Sequence, residues 1–455
     1  MRKQLVLAVV LCVAAGGSVG FAQPVRELAP FSPDDRVLIM APHPDDETMG
    51  TGGVIQRALK SGARVRVVCY TNGDHNEFSF IVYEKRLTFR TGEFLHMGEV
   101  RRHETIAAMA SVGVPAQDVV FLGYPDFGTL AILLKHWQDT KPYWSLMTRI
   151  SYVEYPEALS PGAPYEGESI LHDIEAVIED FRPTKIFVSH PADTNRDHQS
   201  LYLFTRIALW DLDAKIAQPK VYPFLIHVVG WPKPRGHHAD LALDPPLKIA
   251  GVSWEKVSLS KEEAGRKHDL IDYYPSQIEY NPPYLYTYAR SNELFGDFPT
   301  ISLEANRKTP ELKWHTVVQP PASARIGPAD ADEEALFSDL AYSLKENNLF
   351  IRLKLRRSLD KSLGISIDLL GYSRRIAFAA MPKLNISLGF FGMRVRDKGR
   401  PVVMPEILRM KDGKNLIIQV PLENLGQPRF ILSRVRSRVT RLPLDEGSWR
   451  IIEIR

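Results

Sequence analysis

Cysteine is scarce in this sequence, and its charges nearly cancel. The 455 residues include two cysteines, Cys12 and Cys69, which are too few for a disulfide scaffold or a cysteine-ligated zinc site. The formal net charge of +3 does not by itself predict binding to nucleic acid, and none is expected. Apolar residues make up 44% of the chain and charged residues 24%. This is ordinary globular usage, which excludes disordered, collagenous, coiled-coil and multi-span membrane proteins.

The N-terminal segment has the layout of a secretory signal peptide. Two basic residues precede the apolar run Leu5–Ala15, which at 11 residues is too short for a membrane anchor. Small residues at Gly20 and Ala22 then provide a cleavage site. We therefore expect residues 1–23 to be removed near Ala22, and the mature protein to be periplasmic or secreted with no membrane span. A buried or anchoring N-terminal helix is the alternative.

Strand-like and helix-like segments alternate over residues 24–305, which predicts a first domain. Short apolar runs end at polar loops, and stretches with helical spacing follow them. This alternation indicates an α/β fold, with a mainly parallel sheet and helices on both faces. The predicted strands are residues 36–40, 65–70, 119–122 and 185–189, and the predicted helices are residues 54–60, 99–112, 170–181 and 198–209.

The pattern changes near residue 305. Prolines and an acidic run occupy residues 306–334, so we predict a linker there. In residues 349–356 aliphatic side chains alternate with mostly basic ones, which is the period of a strand with one buried face. Asp412-Gly413 is a hairpin turn signal. We predict that residues 335–455 form an all-β sandwich.

Charge divides at the same boundary. Residues 310–455 hold 25 Lys and Arg against 16 Asp and Glu, a net charge of +9, whereas the rest of the chain carries −6. A basic accessory domain of this kind can bind an anionic polymer or an envelope surface. The alternative is a solvated basic face with no partner, and the sequence favours neither interpretation.

Two loops rich in His and Asp carry the strongest chemical signal. The first, Pro42–Glu47, places one imidazole beside three consecutive carboxylates, between a predicted strand and a helix. A divalent cation would relieve the repulsion among those carboxylates. The second, Ser189–His198, also follows a strand and opens a helix. Because ligands bind at the carboxyl ends of parallel strands, both loops can converge on one metal, and a His, Asp, His set with an open position suits catalytic Zn²⁺.

These motifs resemble those of the PIG-L/LmbE-type metal-dependent N-acetylglucosaminide deacetylases. The family's PHPDDE signature stands intact at Pro42–Glu47, and its second motif, which ends in Asp-His, matches at Asp197-His198. The resemblance extends over roughly residues 34–300 and implies a Rossmann-like fold. Weaker marks lie at Thr71–Asp74, Arg101, Glu104 and Leu122–Asp126.

The resemblance implies a metal-dependent amide hydrolase with one bound ion, Zn²⁺ or alternatively Fe²⁺. The implied ligands are His43, Asp46 and His198. A bound cation would polarise the acyl carbonyl and lower the pKa of a water molecule, and Asp45 would be the general base that takes the proton from that water. We therefore predict an exported zinc-dependent hydrolase of C–N bonds that removes N-acetyl groups from a sugar, polysaccharide or glycoconjugate.

Four further residues are candidates for the same site. Arg101 and Asp126 match positions that face the substrate in relatives. Many relatives carry a histidine where this chain has Asn195; an asparagine can donate a hydrogen bond to the oxyanion, but it cannot supply positive charge or a proton. His227 is a candidate to fill that gap, and a histidine with a structural hydrogen bond is the alternative.

Two other functions would use the same residues. Asn195 keeps open a non-catalytic carbohydrate-binding or scaffold protein, and an amidase acting on a non-sugar amide would need the same ligands. The C-terminal domain has no specific motif, and it either docks the enzyme on a polymer or covers the first domain. Aromatic candidates for stacking on a sugar ring are Trp231, Tyr273, Tyr274, Tyr284 and Tyr286, although most aromatics in a chain of this size belong to the core.

Overall fold

The structure is a computed structural model that describes residues 25–75, 90–304, 311–318, 336–440, 442–445 and 447–455. The predicted signal peptide lies outside these residues, as does most of the predicted linker. No helix within the described ranges is both long enough and apolar enough to cross a membrane.

The first domain is built on a mainly parallel sheet, as predicted. Its strands are β1 (Arg26–Glu27), β2 (Arg36–Ala41), β3 (Arg64–Thr71), β4 (Val119–Tyr124), β5 (Lys185–Ser189), β6 (Lys220–Phe224), β7 (Ser253–Ser258) and β8 (Asn292–Asp297). Their spatial order is β1-β7-β8-β6-β5-β2-β3-β4. β8 runs antiparallel to β6 and β7, and every other neighbouring pair is parallel. Since β2 lies between β3 and β5, the chain reverses its winding direction there, which opens a crevice at the strand ends.

Helices cover both faces of this sheet. Along β2, Leu38 and Met40 belong to one buried apolar cluster and Val37 and Ile39 to another, because successive side chains of a strand point to opposite faces. The helices are α1 (Asp46–Lys60), α2 (Thr91–Val112), α3 (Thr129–Lys135), α4 (Gly167–Phe181), α5 (Arg196–Asp211), α6 (Lys261–Ile271), α7 (Pro275–Ile278) and α8 (Pro282–Tyr286).

Helix α1 lies unusually close to the sheet, and glycine makes this approach possible. A Cβ atom added at Gly50 would lie 2.4 Å from Cδ2 of Phe224, and one at Gly53 would lie 2.4 Å from Cδ2 of Leu259. The Gly-rich start of α1 therefore serves close packing. This packing holds the loop before α1 against the ends of the strands.

The second domain is an all-β sandwich, as predicted. Its strands are β9 (Ile301–Leu303), β10 (His315–Val317), β11 (Phe337–Lys345), β12 (Asn348–Leu355), β13 (Leu363–Tyr372), β14 (Lys383–Gly389), β15 (Gly392–Asp397), β16 (Arg400–Val402), β17 (Leu408–Asp412), β18 (Asn415–Pro421), β19 (Phe430–Val439), β20 (Leu442–Asp445) and β21 (Arg450–Ile454). One sheet has the order β10-β11-β12-β18-β17, and the other has the order β16-β15-β14-β13-β19-β21-β9 with β20 also paired to β19.

Two local predictions about this domain agree with the structure. Leu349, Ile351 and Leu353 of β12 are fully buried, whereas the residues between them are more exposed. β17 and β18 form a hairpin that turns at Gly413, whose φ is +57°. A left-handed residue at such a turn favours glycine.

The sandwich begins earlier than the predicted boundary at residue 305. β9 pairs in parallel with β21, and β10, within the predicted linker, pairs with β11. Composition marked the linker through its prolines, but it carried no information on pairing between strands about 150 residues apart. The residues on either side of the predicted boundary are therefore edge strands of the sandwich.

The two domains share a buried interface along α5. The rings of Trp210 and Phe430 stack with centroids 4.5 Å apart. Gln199 of α5 accepts hydrogen bonds from Arg434 Nη1 (2.6 Å) and from Trp449 Nε1 (3.2 Å). Apolar residues of both domains join one continuous cluster. The sandwich therefore packs against the helix that carries the second His- and Asp-rich motif.

Candidate active site

A cavity of 530 Å³ lies at the carboxyl ends of the central parallel strands. Of the eight site residues predicted from the sequence, seven line this cavity, and they come from five separate segments of the chain. They are His43, Asp45, Asp46, Arg101, Asp126, Asn195 and His227. The eighth, His198, is fully buried and lies against the same cluster.

Three predicted metal ligands converge because their strands are neighbours. His43 and Asp46 follow β2, His198 is in the first turn of the helix after β5, and the two strands pair in parallel. Oδ2 of Asp46 lies 3.1 Å from Nδ1 of His43 and 3.1 Å from Nε2 of His198. One ligand atom from each residue lies within 4.8 Å of the other two. The arrangement provides two imidazoles and one carboxylate around a single point.

This donor set fits a divalent metal ion. Neither ring nitrogen of the buried His198 has a hydrogen-bond partner of acceptable geometry, although both lie near carboxylates. A buried polar atom without a partner is costly, and a metal ion near Nε2 would remove that cost. Two imidazoles and a carboxylate are common ligands of catalytic zinc. The chemistry of these ligand atoms favours a divalent cation, and both zinc and iron fit it.

Carboxylates also contact the far side of each ligand imidazole. Nε2 of His43 lies 3.1 Å from Oδ1 of Asp126 and 3.4 Å from Oδ2 of Asp197. Nδ1 of His198 lies 3.2 Å from Oδ2 of Asp193. Such contacts orient a ligand imidazole and fix its tautomer. Asp193 thus contacts His198 and Asp197 contacts His43, so each ligand histidine has a carboxylate of the second motif beside it.

Asp126 and Asp197 also anchor the loop that follows β4. The second oxygen of Asp126 accepts a hydrogen bond from the backbone amide of His75 (3.2 Å), and Asp197 accepts from the amides of Phe127 (2.6 Å) and Thr129 (3.2 Å). Both carboxylates are therefore engaged by the protein. The predicted contact of Asp126 with substrate stays a prediction.

Asp45 is held in a strained backbone conformation. Its φ is +115°, outside the region that residues with a side chain favour. The conformation is maintained by Glu47, which accepts a hydrogen bond from the Asp45 amide (3.1 Å) and another from the hydroxyl of the buried Tyr274. Glu47 therefore holds the loop, and the loop directs the Asp45 carboxylate into the cavity. Strain of this kind is typical of functional sites.

Arg101 of α2 bridges two loops beneath Asp45. It donates to the carbonyl oxygens of Gly73 (2.9 Å) and Pro44 (2.6 Å), and its Nη2 lies 3.3 Å from Oδ2 of Asp45. Since the side chain is 4% exposed, the charge contact is largely shielded from water. Arg101 thus positions the general-base candidate as well as lining the cavity.

Burial and neighbouring charges shift the pKa values of this cluster in opposite directions. Burial raises the pKa of Asp45 well above its usual range, against the opposing charge of Arg101. Burial also opposes ionisation of Asp46, but His198 and His43 hold its pKa well below the usual range. In turn, Asp193 and Asp46 outweigh burial and raise the pKa of His198 to about 9. Protons on the histidines thus balance the carboxylates, and a metal ion would displace those protons on binding.

Asn195 caps the helix that carries His198. Its side-chain oxygen accepts a hydrogen bond from the backbone amide of Asp197 (2.8 Å). This is the preferred role of asparagine at the start of a helix. Because the oxygen is bound to the helix, the amide offers the cavity its Nδ2 donor rather than an acceptor.

His227 lies near the ligand histidine but in a loop, not in a strand. β6 ends at Phe224, so His227 lies three residues beyond the end of the strand. The ring centroids of His227 and His198 are 4.7 Å apart, and Nδ1 of His227 is 2.8 Å from the hydroxyl of Tyr284. Burial lowers the pKa of His227 to about 4, against the opposing charge of Asp193. It is therefore a neutral imidazole at pH 7 and does not supply the positive charge that Asn195 lacks.

A family model gives independent information on this region. Residues 38–209 match the model described as PIG-L, GlcNAc-PI de-N-acetylase. The match begins within β2 and ends within α5, so it includes both loops that contribute metal-ligand candidates. Residues 38–209 are a PIG-L domain. This finding confirms the family resemblance for that part of the chain.

Several curated proteins are similar in sequence to part of this chain. A 1D-myo-inositol 2-acetamido-2-deoxy-alpha-D-glucopyranoside deacetylase of Mycobacterium sp. (strain KMS) is 31% identical over 192 residues, which cover 42% of this chain and 53% of the relative. A protein of the same description from Gordonia bronchialis is 30% identical and is covered over 61% of its length. The chain thus spans about half the length, or less, of most of the curated relatives it matches.

Among solved structures, the N,N'-diacetylchitobiose deacetylase from Pyrococcus horikoshii aligns with 18% identity and a TM-score of 0.35. The alignment covers 57% of this chain and 82% of that one.

Several residues around the PIG-L domain's cavity were missed by sequence reasoning. Of the five aromatic residues proposed to stack on sugar, Tyr284 lines the cavity, whereas Tyr274 is buried and bonds to Glu47. A tyrosine-rich stretch at residues 273–288 was the available signal for this wall, but it did not show which rings face the cavity. The missed residues that line it are Met49, His75, Phe127, Gln277, Tyr280 and Leu285.

Proposed function

We propose that this protein is a metal-dependent hydrolase that removes N-acetyl groups from an N-acetylated sugar or a glycoconjugate. One observation carries the proposal: His43, Asp46 and His198 converge on one point beside Asp45, in a cavity of a PIG-L domain. The names of the matched curated relatives describe deacetylation of an acetamido sugar joined to inositol. The same class of bond, an N-acetyl amide on a sugar ring, is the proposed target here.

The chemistry divides between the cation and the residues of the loop. His43, Asp46 and His198 would hold the cation, which when bound supplies polarisation of the acyl carbonyl and a lower pKa for water. The Asp45 carboxylate takes a proton as the water oxygen forms its bond to the acyl carbon. It returns that proton to the nitrogen as the C–N bond breaks. The products are a free amino sugar and acetate.

Two neutral donors support the charge that develops on the acyl oxygen. Nδ2 of Asn195 is available because its oxygen caps the helix. If the Tyr284 hydroxyl donates to Nδ1 of His227, the imidazole proton resides on Nε2, which makes this side chain a second donor. Neutral donors placed before the reaction stabilise an oxyanion without reorganisation. In this proposal His227 assists as a donor, and Asp45 alone transfers protons.

The proposal extends to the identity of the metal and to the location of the protein. Zinc is the proposed ion because the ligand set and the open position match catalytic zinc sites, with Fe²⁺ as the alternative. Export to the periplasm or medium rests on the signal-like pattern of residues 1–23. Cell fractionation of the full-length protein and N-terminal sequencing of the mature chain test this location; a cytoplasmic protein that keeps its first residues would contradict it.

The decisive experiment measures acetate release from matched amides. The protein loaded with Zn²⁺ is incubated with N-acetylglucosamine oligomers, peptidoglycan fragments, exopolysaccharide and N-acetylated peptides, beside the variant Asp45→Asn. The control is Asp240→Asn, a side chain that is 80% exposed. We expect the wild type and the control to release acetate from the sugars. In the Asp45 variant the rate of release should be lower by a factor of about 10² to 10⁴. Release from peptides alone indicates an amidase, and metal binding without any release indicates a binding protein.

A further inference from the structure

A second cavity, of 400 Å³, lies between the two domains. Its walls come from α3 and the start of α5 on one side and from β13, β14, β15 and β19 of the sandwich on the other. Six cationic side chains and a single carboxylate, Asp368, line it. We call it the basic cavity, and its cationic residues are Lys135, Arg196, Lys383, Arg396, Arg434 and Arg436.

Two of these cations are already engaged in holding the structure together. Nζ of Lys383 donates to the backbone oxygens of Met381 (2.9 Å) and Phe378, and it lies 4.3 Å from the ring centroid of Trp137. Arg434 pairs with Asp368 at 2.9 Å and also bonds across the interface to α5. The one carboxylate of the basic cavity is therefore already neutralised by Arg434.

The other four cations leave a surplus of positive charge. The side chains of Lys135, Arg196 and Arg396 make no hydrogen bond or ion pair with any residue the structure describes. Arg436 shares Asp368 through one contact of 3.2 Å, and its buried Nε has no partner among those residues. An anionic group in the basic cavity would offset the repulsion among these four charges.

The basic cavity adjoins the candidate active site. Phe127 is 51% exposed, and it lines both cavities. Arg196 lines the basic cavity and directly follows Asn195, which lines the catalytic one. A ligand longer than one sugar unit can therefore pass over the Phe127 ring from one cavity to the other. The flat ring provides a surface on which a sugar can stack.

We propose that the basic cavity binds an acidic sugar unit next to the N-acetylated unit of the substrate. This inference rests on the proposed function. The recognised group is an oxyanion, a carboxylate or a phosphate, because the planar guanidinium groups of arginine bind both through paired hydrogen bonds. Because both domains build this cavity, the sandwich contributes directly to substrate selection.

Binding of matched disaccharides to the full chain tests this inference. The probes carry N-acetylglucosamine joined to a uronic acid, to a glucose phosphate or to neutral glucose, and calorimetry gives each affinity for the Zn²⁺-loaded Asp45→Asn variant, so that turnover does not interfere. We expect at least one acidic probe to bind about tenfold more tightly than the neutral one, since one charge-assisted contact is worth about that much. The comparison of the two acidic probes distinguishes a carboxylate from a phosphate.

A matched pair of charge changes tests the location. In the same background, Lys135→Gln with Arg396→Gln removes two cations of the basic cavity. Arg394→Gln with Lys411→Gln removes two exposed cations outside it, one of them on the same strand as Arg396. The first pair is expected to abolish the preference for the acidic probe, and the second pair to keep it.

Three results would overturn the proposal: equal affinity for acidic and neutral probes, loss of the preference in both pairs, or its survival in the cavity pair. Thermal melting of each variant reports whether the fold is intact. A single reversal, Arg396→Glu, provides a second variant, and it should weaken only the acidic probe. Acetate release from the neutral disaccharide by wild type is measured separately, so a failed deacetylase is distinguished from a failed basic cavity.

Discussion

The two domains treat buried charge differently. In the sandwich, buried Asp368 has direct partners in Arg434, Arg436 and an asparagine, and buried Lys383 donates to backbone oxygens. In the PIG-L domain, buried carboxylates surround His43 and His198 and outnumber the protein cations in reach. A buried charge that is paired with an opposite charge of the protein needs no ligand to be stable.

The difference shows where the fold is built for a ligand. A cluster in which imidazoles and carboxylates contact one another at 3.1–3.4 Å without full hydrogen bonding is costly unless a cation joins it. Nothing comparable lies inside the sandwich's own described core, where buried apolar side chains predominate. The unbalanced charge beside His43 and His198 therefore indicates a ligand site, whereas the pairing of buried Asp368 with Arg434 in the sandwich indicates stability.

Removing one carboxylate of the metal cluster should have the largest effect. Asp46→Asn deletes the ligand oxygen that lies 3.1 Å from both histidines. Several kcal/mol of transition-state stabilisation depend on the cation, so acetate release should fall at least about a thousandfold. Atomic emission should show a matching loss of metal per chain. Asp240→Asn is the control, and full activity with bound metal in the Asp46 variant would contradict the assignment.

Breaking the balanced pair of the sandwich should cost stability instead. Arg434→Met leaves Asp368 without its main partner and should lower the free energy of unfolding by about 3–5 kcal/mol. Adding Asp368→Leu should recover most of that loss, because an apolar pair replaces a charged one. Urea unfolding of the full chain measures both, with the exposed Arg394→Met as control. No recovery in the double variant would show that Arg434 acts mainly through its contact with α5.

Asn195 allows helix capping to be separated from catalysis. Asn195→Ser keeps a cap for α5, so stability should change little. The substitution removes the amide donor, so kcat should fall by a factor of about 10². Asn195→Ala removes both and should also lose about 1 kcal/mol of stability. Thermal melting and acetate release distinguish the two effects. Equal kcat in wild type and the serine variant would remove Asn195 from the oxyanion site.

The smallest expected effect is a pH dependence of stability that comes from His190, a buried histidine of the first domain near Arg450 of the sandwich. Burial, aided by the charge of Arg450, lowers the pKa of His190 to about 3. The unfolded chain takes up this proton below about pH 6.5, and the folded chain does not. Stability from this group is therefore complete above pH 6.5 and declines toward pH 3.

A variant without the titrating ring tests this dependence. His190→Asn keeps an acceptor for the amide of Ala192, which bonds to Nδ1 at 3.0 Å, but it does not titrate. Between pH 7.5 and pH 5 the wild type should lose about 2 kcal/mol more unfolding free energy than the variant. Denaturant titrations at the two pH values give the difference, and parallel losses would show that other groups dominate.

Periodicity predicted much of the fold because it reflects burial directly. The alternation in β12 and the helical spacing of α4 follow from which side chains face a core. The boundary at residue 305 could not be placed in the same way. Pairing of β9 with β21 depends on residues about 150 positions apart, and no local pattern records a partner at that distance.

The metal-ligand candidates were predictable, whereas much of their surroundings was not. His43, Asp46 and His198 lie in short motifs directly after strands, and ligands bind at the carboxyl ends of parallel strands. Asp193, which contacts His198 at 3.2 Å, lies in one of these motifs, but its partner was not evident. The low pKa of His227 depends on burial, which only packing determines.

Local patterns in the amino-acid sequence predicted the alternating strands and helices of the first domain, the β character of the second domain and the residue types of the metal-ligand candidates. Local periodicity and motif chemistry suffice for these features. Three features became evident only in the folded chain: which charges share a site, the contacts of Asp126 and Asp193 with the ligand histidines, and the basic cavity where α3 and α5 meet the sandwich. Those features arise from contacts between residues distant in the chain, and their energies depend on burial that exists only after folding.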